Sequence, residues 1–330
     1  MSGAFTHPRE TFDFTGGEKA EQAFADALDR DRIHHAWLLA GPEGVGKATF
    51  AYRAARRLLG ATPSAGHGPM GSGPDDRISR LVASRAHPDL LVLQRDPEDG
   101  KSRKQIPVEE ARGLPEFFAK TPAMAAWRVA IVDTADDLNA SGANAILKIL
   151  EEPPPRGIIL LASATPAALL PTIRSRCRLL RIEPPQTAQT TGWLSKRTGL
   201  AETESRRLLE MAKGAPGRAW RFALSGATGA DEAARGLIES LPKPDPATVL
   251  AITDGFRGAE GAGRFALVID RIAERVREIA ADKALAGQGA ERWAEAYDFV
   301  SGLPAQVEAV NLDRADAFHA ALARLKQAAC

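Results

Sequence analysis

Seven residues constrain this chain more than any others: Gly41-Pro42-Glu43-Gly44-Val45-Gly46-Lys47. They follow an apolar run, Ala36 to Ala40, and precede a stretch of good helix formers, Ala48 to Leu59. Strand, glycine-rich turn and helix in this order make a phosphate loop. The glycines let consecutive backbone N–H groups turn inward onto phosphate oxygens, the helix start adds partial positive charge, and Lys47 reaches the outer phosphates.

The rest of the motif is damaged. Position 48 is alanine, where a Ser or Thr hydroxyl would hold Mg²⁺. Thr49 is one residue further along, and one helical step turns a side chain by about 100°, so its hydroxyl is expected to face elsewhere. The complementary strand, Val129 to Val132, ends on Asp133, correctly placed to help hold the metal. The next residue, which in active sites of this kind is a carboxylate that prepares water, is Thr134, a poor general base. Asp136 and Asp137 lie further on and read as a solvated helix start.

Further apolar runs, Leu90 to Leu93 and Ile158 to Ala162, alternate with helix-like stretches such as Asn144 to Glu152, which Pro153-Pro154-Pro155 stops. This alternation predicts a parallel sheet with helices on both faces. Residues 60–74, rich in Gly, Pro and Ser, read as a flexible excursion. After Pro184-Pro185 the pattern is helical throughout, as in Phe265, Ile269, Ile272, Val276 and Ile279. Leu241 to Pro246 reads as a linker. A chain of 330 residues accommodates two or three domains. The 43 basic residues balance 42 acidic ones, so no overall basic excess marks a dedicated DNA binder. Met1 to Glu10 lacks the apolar core of a signal peptide, and the two cysteines, Cys177 and Cys330, make no disulfide framework; a reducing cytoplasm is expected.

Several segments together resemble the bacterial clamp-loader subunits of the AAA+ class. Asn144-Ala-Ile-Leu-Lys148-Ile-Leu150-Glu-Glu-Pro-Pro154 is similar to their N-A-L-L-K-x-L-E-E-P-P stretch, and Ser175-Arg176-Cys177 to their S-R-C motif. His34-His35-Ala36-Trp37-Leu38 and His87-Pro88-Asp89 fit in the same order, so the resemblance covers about residues 30–185. It implies an α/β AAA+ P-loop domain over 1–184, a small helical lid over 185–243 and an all-α C-terminal collar domain over 244–330. Of the two kinds of member with this layout, gamma/tau keeps a full ATPase site. The delta prime kind often has a degenerate one, which Ala48 and Thr134 favour.

The resemblance further implies a component of the DNA polymerase III holoenzyme with little or no ATPase of its own. Its partners would be gamma/tau and delta, with the sliding clamp and primed DNA met through the complex. It gives Arg176 the role of an arginine finger acting in trans on a neighbour's ATP; a planar guanidinium suits that task. Gly41, Gly44, Gly46, Lys47, Thr49 and Asp133 would form a degenerate nucleotide site, able to take ATP, ADP or phosphate but needing no cofactor. Relatives with zinc carry four cysteines after the phosphate-loop helix; this chain has none before Cys177, and His67 with His87 cannot replace them, so no zinc is expected. Gly214-Ala-Pro-Gly217-Arg218 resembles the lid region where active loaders place an Arg near nucleotide, but the alignment puts Gly217 there. Arg174, Arg176 and Arg178, two apart, would share one face if extended; Arg174 and Arg178 read as a solvated basic edge and Cys177 as a small packed side chain. Ser163 and Thr165 fall near the sensor-one position, where a turn-forming role is equally open. Two other readings stay open: a gamma/tau-type ATPase using Thr49 or Asp136, and a stand-alone P-loop regulator.

Overall fold

The computed structural model describes residues 6–30, 32–95, 105–258 and 260–330. The first five residues of the Met1–Glu10 segment lie outside them. The described chain forms two compact units, 1–221 and 222–330.

The first unit is built on five parallel strands: β1 (Ala36–Ala40), β2 (Leu90–Gln94), β3 (Arg128–Asp133), β4 (Gly157–Ser163) and β5 (Arg178–Arg181), in the order β2-β3-β4-β1-β5. The inner strands β3, β4 and β1 are apolar almost residue for residue because both of their faces are covered. Alternate residues divide between two cores. Trp37, Leu39, Val129, Ile131, Ile158 and Leu160 pack with α1 (Glu18–Asp29), α2 (Lys47–Leu58) and α3 (Arg77–Ala83). Leu38, Ala130, Val132, Ile159 and Leu161 pack with α4 (Val108–Arg112), α5 (Leu114–Ala119), α6 (Ala140–Glu151) and α7 (Pro171–Arg176). The parallel sheet and its two helical layers are therefore those read from the sequence.

Two local readings change. The excursion 60–74 is folded back rather than loose: Pro63 and Ser72 form an antiparallel bridge, Met70 is fully buried, and Ser72 Oγ lies 2.8 Å from Ser79 Oγ. One buried methionine amid small residues is a weak sequence signal. The arginines do not share an extended chain, either. Arg174 and Arg176 lie in the last turn of α7, and only Arg178 is in a strand, β5. Pro171 sets the helical start of α7, a position where proline's missing N–H costs nothing.

Beyond the sheet, α8 (Thr187–Thr198), α9 (Glu202–Met211) and the start of α10 (Pro216–Ser225) complete the first unit. The second unit is helical. It contains α11 (Ala227–Glu239), α12 (Pro246–Asp254), α13 (Gly261–Leu285), α14 (Glu291–Val310) and α15 (Arg314–Ala329), around a core that includes Phe256, Phe265, Ile269, Ile272, Val300 and Phe318. The proline-rich stretch 241–246 joins α11 to α12 inside this unit.

Candidate functional site

The glycine-rich loop leaves the C-terminal end of β1 and enters α2, so it sits at the carboxyl edge of the sheet where parallel α/β proteins place ligands. Gly41 N–H donates to the carbonyl of Ser163, the last residue of β4, at 3.3 Å. Gly44 (φ +77°) and Gly46 (φ +107°) adopt the left-handed backbone that turns their N–H groups, and each is closely approached. A Cβ at Gly44 would lie 2.3 Å from the backbone N of Arg218, and one at Gly46 2.7 Å from the Phe14 ring.

A cavity of about 450 Å³ opens beside this loop. Gly44, Gly46, Lys47, Thr49 and Asp133 all line it, together with Ala48 and Thr134. Five of the six residues expected from the sequence are thus brought together, and Gly41 holds the loop behind them. Thr49 borders the cavity despite its position one step along the helix, and Ala48 beside it presents only a methyl.

Lys47 is buried, and its Nζ donates to the carbonyls of Gly41 and Pro42 at 2.8 and 2.9 Å. Burial lowers its pKa below the ordinary lysine value, against the opposing pull of Asp136, Asp133 and Glu43. Burial lifts the Asp133 carboxyl to about 6; Lys47 opposes the shift and Asp137 adds to it. Thr134 offers no base, and its hydroxyl lies 3.4 Å from Asp137 Oδ2.

Asp136 is not simply a solvated helix start. Its carboxylate accepts from Ser163 Oγ at 2.6 Å, Ala164 N at 2.6 Å and Thr165 Oγ1 at 2.9 Å. The hydroxyls of Ser163, which ends β4, and of Thr165 just beyond it therefore fasten the turn after β3.

The sequence reading missed residues contributed from afar. Arg221 lines the cavity, and its Nη2 lies 2.7 Å from Glu43 Oε1. Burial alone would raise the Glu43 carboxyl, but Arg221, helped by Arg218 and Lys47, brings it below its usual value. Gly217 N–H donates to Gly44 carbonyl at 2.8 Å, so the start of α10 rests directly on the loop. Arg221, one helical turn beyond Arg218, is thus the α10 arginine on the cavity wall. His7 and Pro8 add a further edge. Neither contact has a local signature, since Glu43 and Arg221 are 178 residues apart.

Arg176 is not on that cavity. It ends α7, half exposed, with Nη2 3.1 Å from Glu151 Oε1. Arg174 is exposed, and Arg178 stacks over the Trp37 ring at 4.9 Å. Burial pushes the Cys177 thiol up to about 12, which makes it inert as a nucleophile. His67 lies 3.2 Å from Asp13, while His87 is buried and accepts from Asp89 N–H.

A glycine-rich loop with its lysine, set between a central parallel strand and a helix, with an aspartate ending a nearby strand, defines a P-loop α/β protein. Residues 16–186 match the model of the family described as DNA polymerase III, delta subunit, and the chain belongs to that family. It is 35% identical over 189 residues to DNA polymerase III subunit delta' of Pseudomonas aeruginosa, covering 57% of this chain and 55% of that one. Against subunit delta' of Escherichia coli it is 34% identical over 188 residues, 57% of this chain and 54% of the relative. The matches thus span about half the length of these curated relatives. Among solved structures, a gamma subunit-related protein of Thermotoga maritima aligns over 93% of this chain and 100% of its own, with 18% identity and a TM-score of 0.48. Among the described residues, no helix is long and apolar enough to cross a membrane.

Proposed function

We propose that this protein is a delta prime-type AAA+ subunit of the DNA polymerase III clamp loader, working in the cytoplasm in DNA replication. It hydrolyses little or no ATP itself and supplies Arg176 to the ATP site of an adjacent gamma/tau subunit. Gamma/tau and delta are its direct partners, and it meets the sliding clamp and primed DNA through the complex. Residues 185–243 act as a helical lid and 244–330 as a collar that assembles the ring.

One observation carries this reading. The chain's own phosphate cavity lacks a hydroxyl at position 48 and a carboxylate at 134, while a half-exposed guanidinium stands outside it at Arg176. Metal holding and water activation are impaired separately, so the two losses compound. Lys47 and the loop N–H groups still suit a phosphate, so ATP, ADP or phosphate is bound without efficient turnover. No zinc is required.

The first test uses the purified chain alone. Its Mg²⁺-dependent ATP turnover is expected at background and unchanged by Lys47→Ala; turnover that Lys47→Ala abolishes would identify a gamma/tau-type ATPase instead. The second test reconstitutes the loader with gamma/tau and delta. Arg176→Ala is expected to cost about 10³-fold at the one ATP site it serves, with assembly intact. Full clamp loading by that variant would remove the in-trans role.

A further inference from the structure

Arg176 is already held before any partner arrives. Nη2 lies 3.1 Å from Oε1 of Glu151, the last residue of α6, and Nη1 donates to the carbonyl of Thr172 at 3.1 Å. We propose that Glu151 is a positioning residue for Arg176, fixing the direction in which the guanidinium is offered to a neighbouring phosphate. This rests on the in-trans reading of Arg176 above.

The donor count supports holding and offering at once. A guanidinium has five N–H donors, two on each terminal nitrogen and one on Nε. Nη1 gives one N–H to the Thr172 carbonyl, and Nη2 is ion-paired with the Glu151 carboxylate. The two N–H groups on each terminal nitrogen and the one on Nε are more than these two contacts use. A planar fork with donors on both terminal nitrogens suits two phosphate oxygens.

Fold stability does not account for the pair. The two side chains are 37% and 51% exposed, and ion pairs so open to water contribute little to stability. Helix formation does not call for Glu151, either, because a negative charge in the last turn of a helix opposes the helix dipole. What the pair does fix is geometry. A long side chain with many rotamers is tied at one nitrogen to its own helix and at the other to the end of α6. An arginine arriving in one orientation avoids the ordering cost that a free one meets at the moment of phosphoryl transfer.

The test is the reconstituted loader, assayed for clamp- and DNA-stimulated ATP turnover, with assembly followed by gel filtration. Four variants are compared: Arg176→Ala, Glu151→Ala, Glu151→Gln and the double Glu151→Ala/Arg176→Ala. Glu151→Ala is expected to lower kcat roughly tenfold at the served site with KM for ATP little changed. Glu151→Gln, which keeps an acceptor oxygen, recovers part of the loss. The double variant is no worse than Arg176→Ala alone, because Glu151 acts only through Arg176. Normal or raised turnover in Glu151→Ala beside a damaged Arg176→Ala overturns the positioning role and leaves the arginine finger standing. Losses that multiply in the double variant also overturn it. An undamaged Arg176→Ala overturns both.

Discussion

At the scale of single residues, Asp133 carries the clearest energetic consequence of burial beside the loop cavity. Its folded-state carboxyl titrates at about 6, against an ordinary value of 3.8, chiefly because it is buried. The folded protein therefore keeps a proton between about pH 4 and 6 that the unfolded chain releases. Stability contributed by this group falls as pH rises through that window, and the full cost of carrying the charge is present above about pH 6. Asp133→Asn is expected to stabilise the fold by roughly 1–3 kcal/mol at pH 7.5 and by nothing below pH 4. Urea denaturation across that pH range reads both the gain and its disappearance; a variant destabilised at pH 7.5 would show that Lys47 needs the charge more than burial penalises it. Asp133, Lys47 and the glycines were legible because a local motif fixes their chemistry. Arg221 and Phe14 were not, because their roles come only from the approach of distant chain to Glu43 and Gly46.

At the scale of elements, α2 does more than present the loop. Two buried arginines on it bind the segment that precedes α1. Arg53 donates to the carbonyls of Phe12 and His67, and Arg56 to those of Thr11 and Arg9, with its guanidinium 4.2 Å over the Phe12 ring. The charge on Arg53 is met by Glu21 of α1 at 2.5 Å, both side chains almost fully buried. Burial raises the Glu21 carboxyl despite that partner, a sign of how dry the pair is. Removing one member of such a pair leaves an uncompensated buried charge, so Glu21→Ala is expected to destabilise by about 3–5 kcal/mol, measured by urea denaturation. Replacing an exposed partner, as in Glu116→Ala beside Lys120, is expected to leave the midpoint nearly unchanged. The helix itself was readable from its composition. The burial of its arginines was not readable, because sequence period alone does not say that a charged stripe will be covered by a preceding segment.

At the scale of the whole molecule, the two units have separate apolar cores. The sheet cores lie within 1–221, while Phe265, Ile269, Ile272, Val300 and Phe318 belong to a core within 222–330. The sequence showed the change from alternating strands and helices to helices alone, but the contact division falls inside α10, which continues without a break through residues 221 and 222. A continuous helix carries no Pro or Gly punctuation at that point, so composition directed attention to the prolines of 241–246 instead. Chains with separate cores commonly depart from a single cooperative transition. Calorimetry of the intact protein is expected to resolve two unfolding components, and substitutions in each unit should move only their own. Ile272→Ala, at a fully buried position, is expected to cost about 2–5 kcal/mol in the helical component. Glu21→Ala should shift the other component, the one that contains the sheet. If both substitutions displaced one common transition, the units would be thermodynamically a single body.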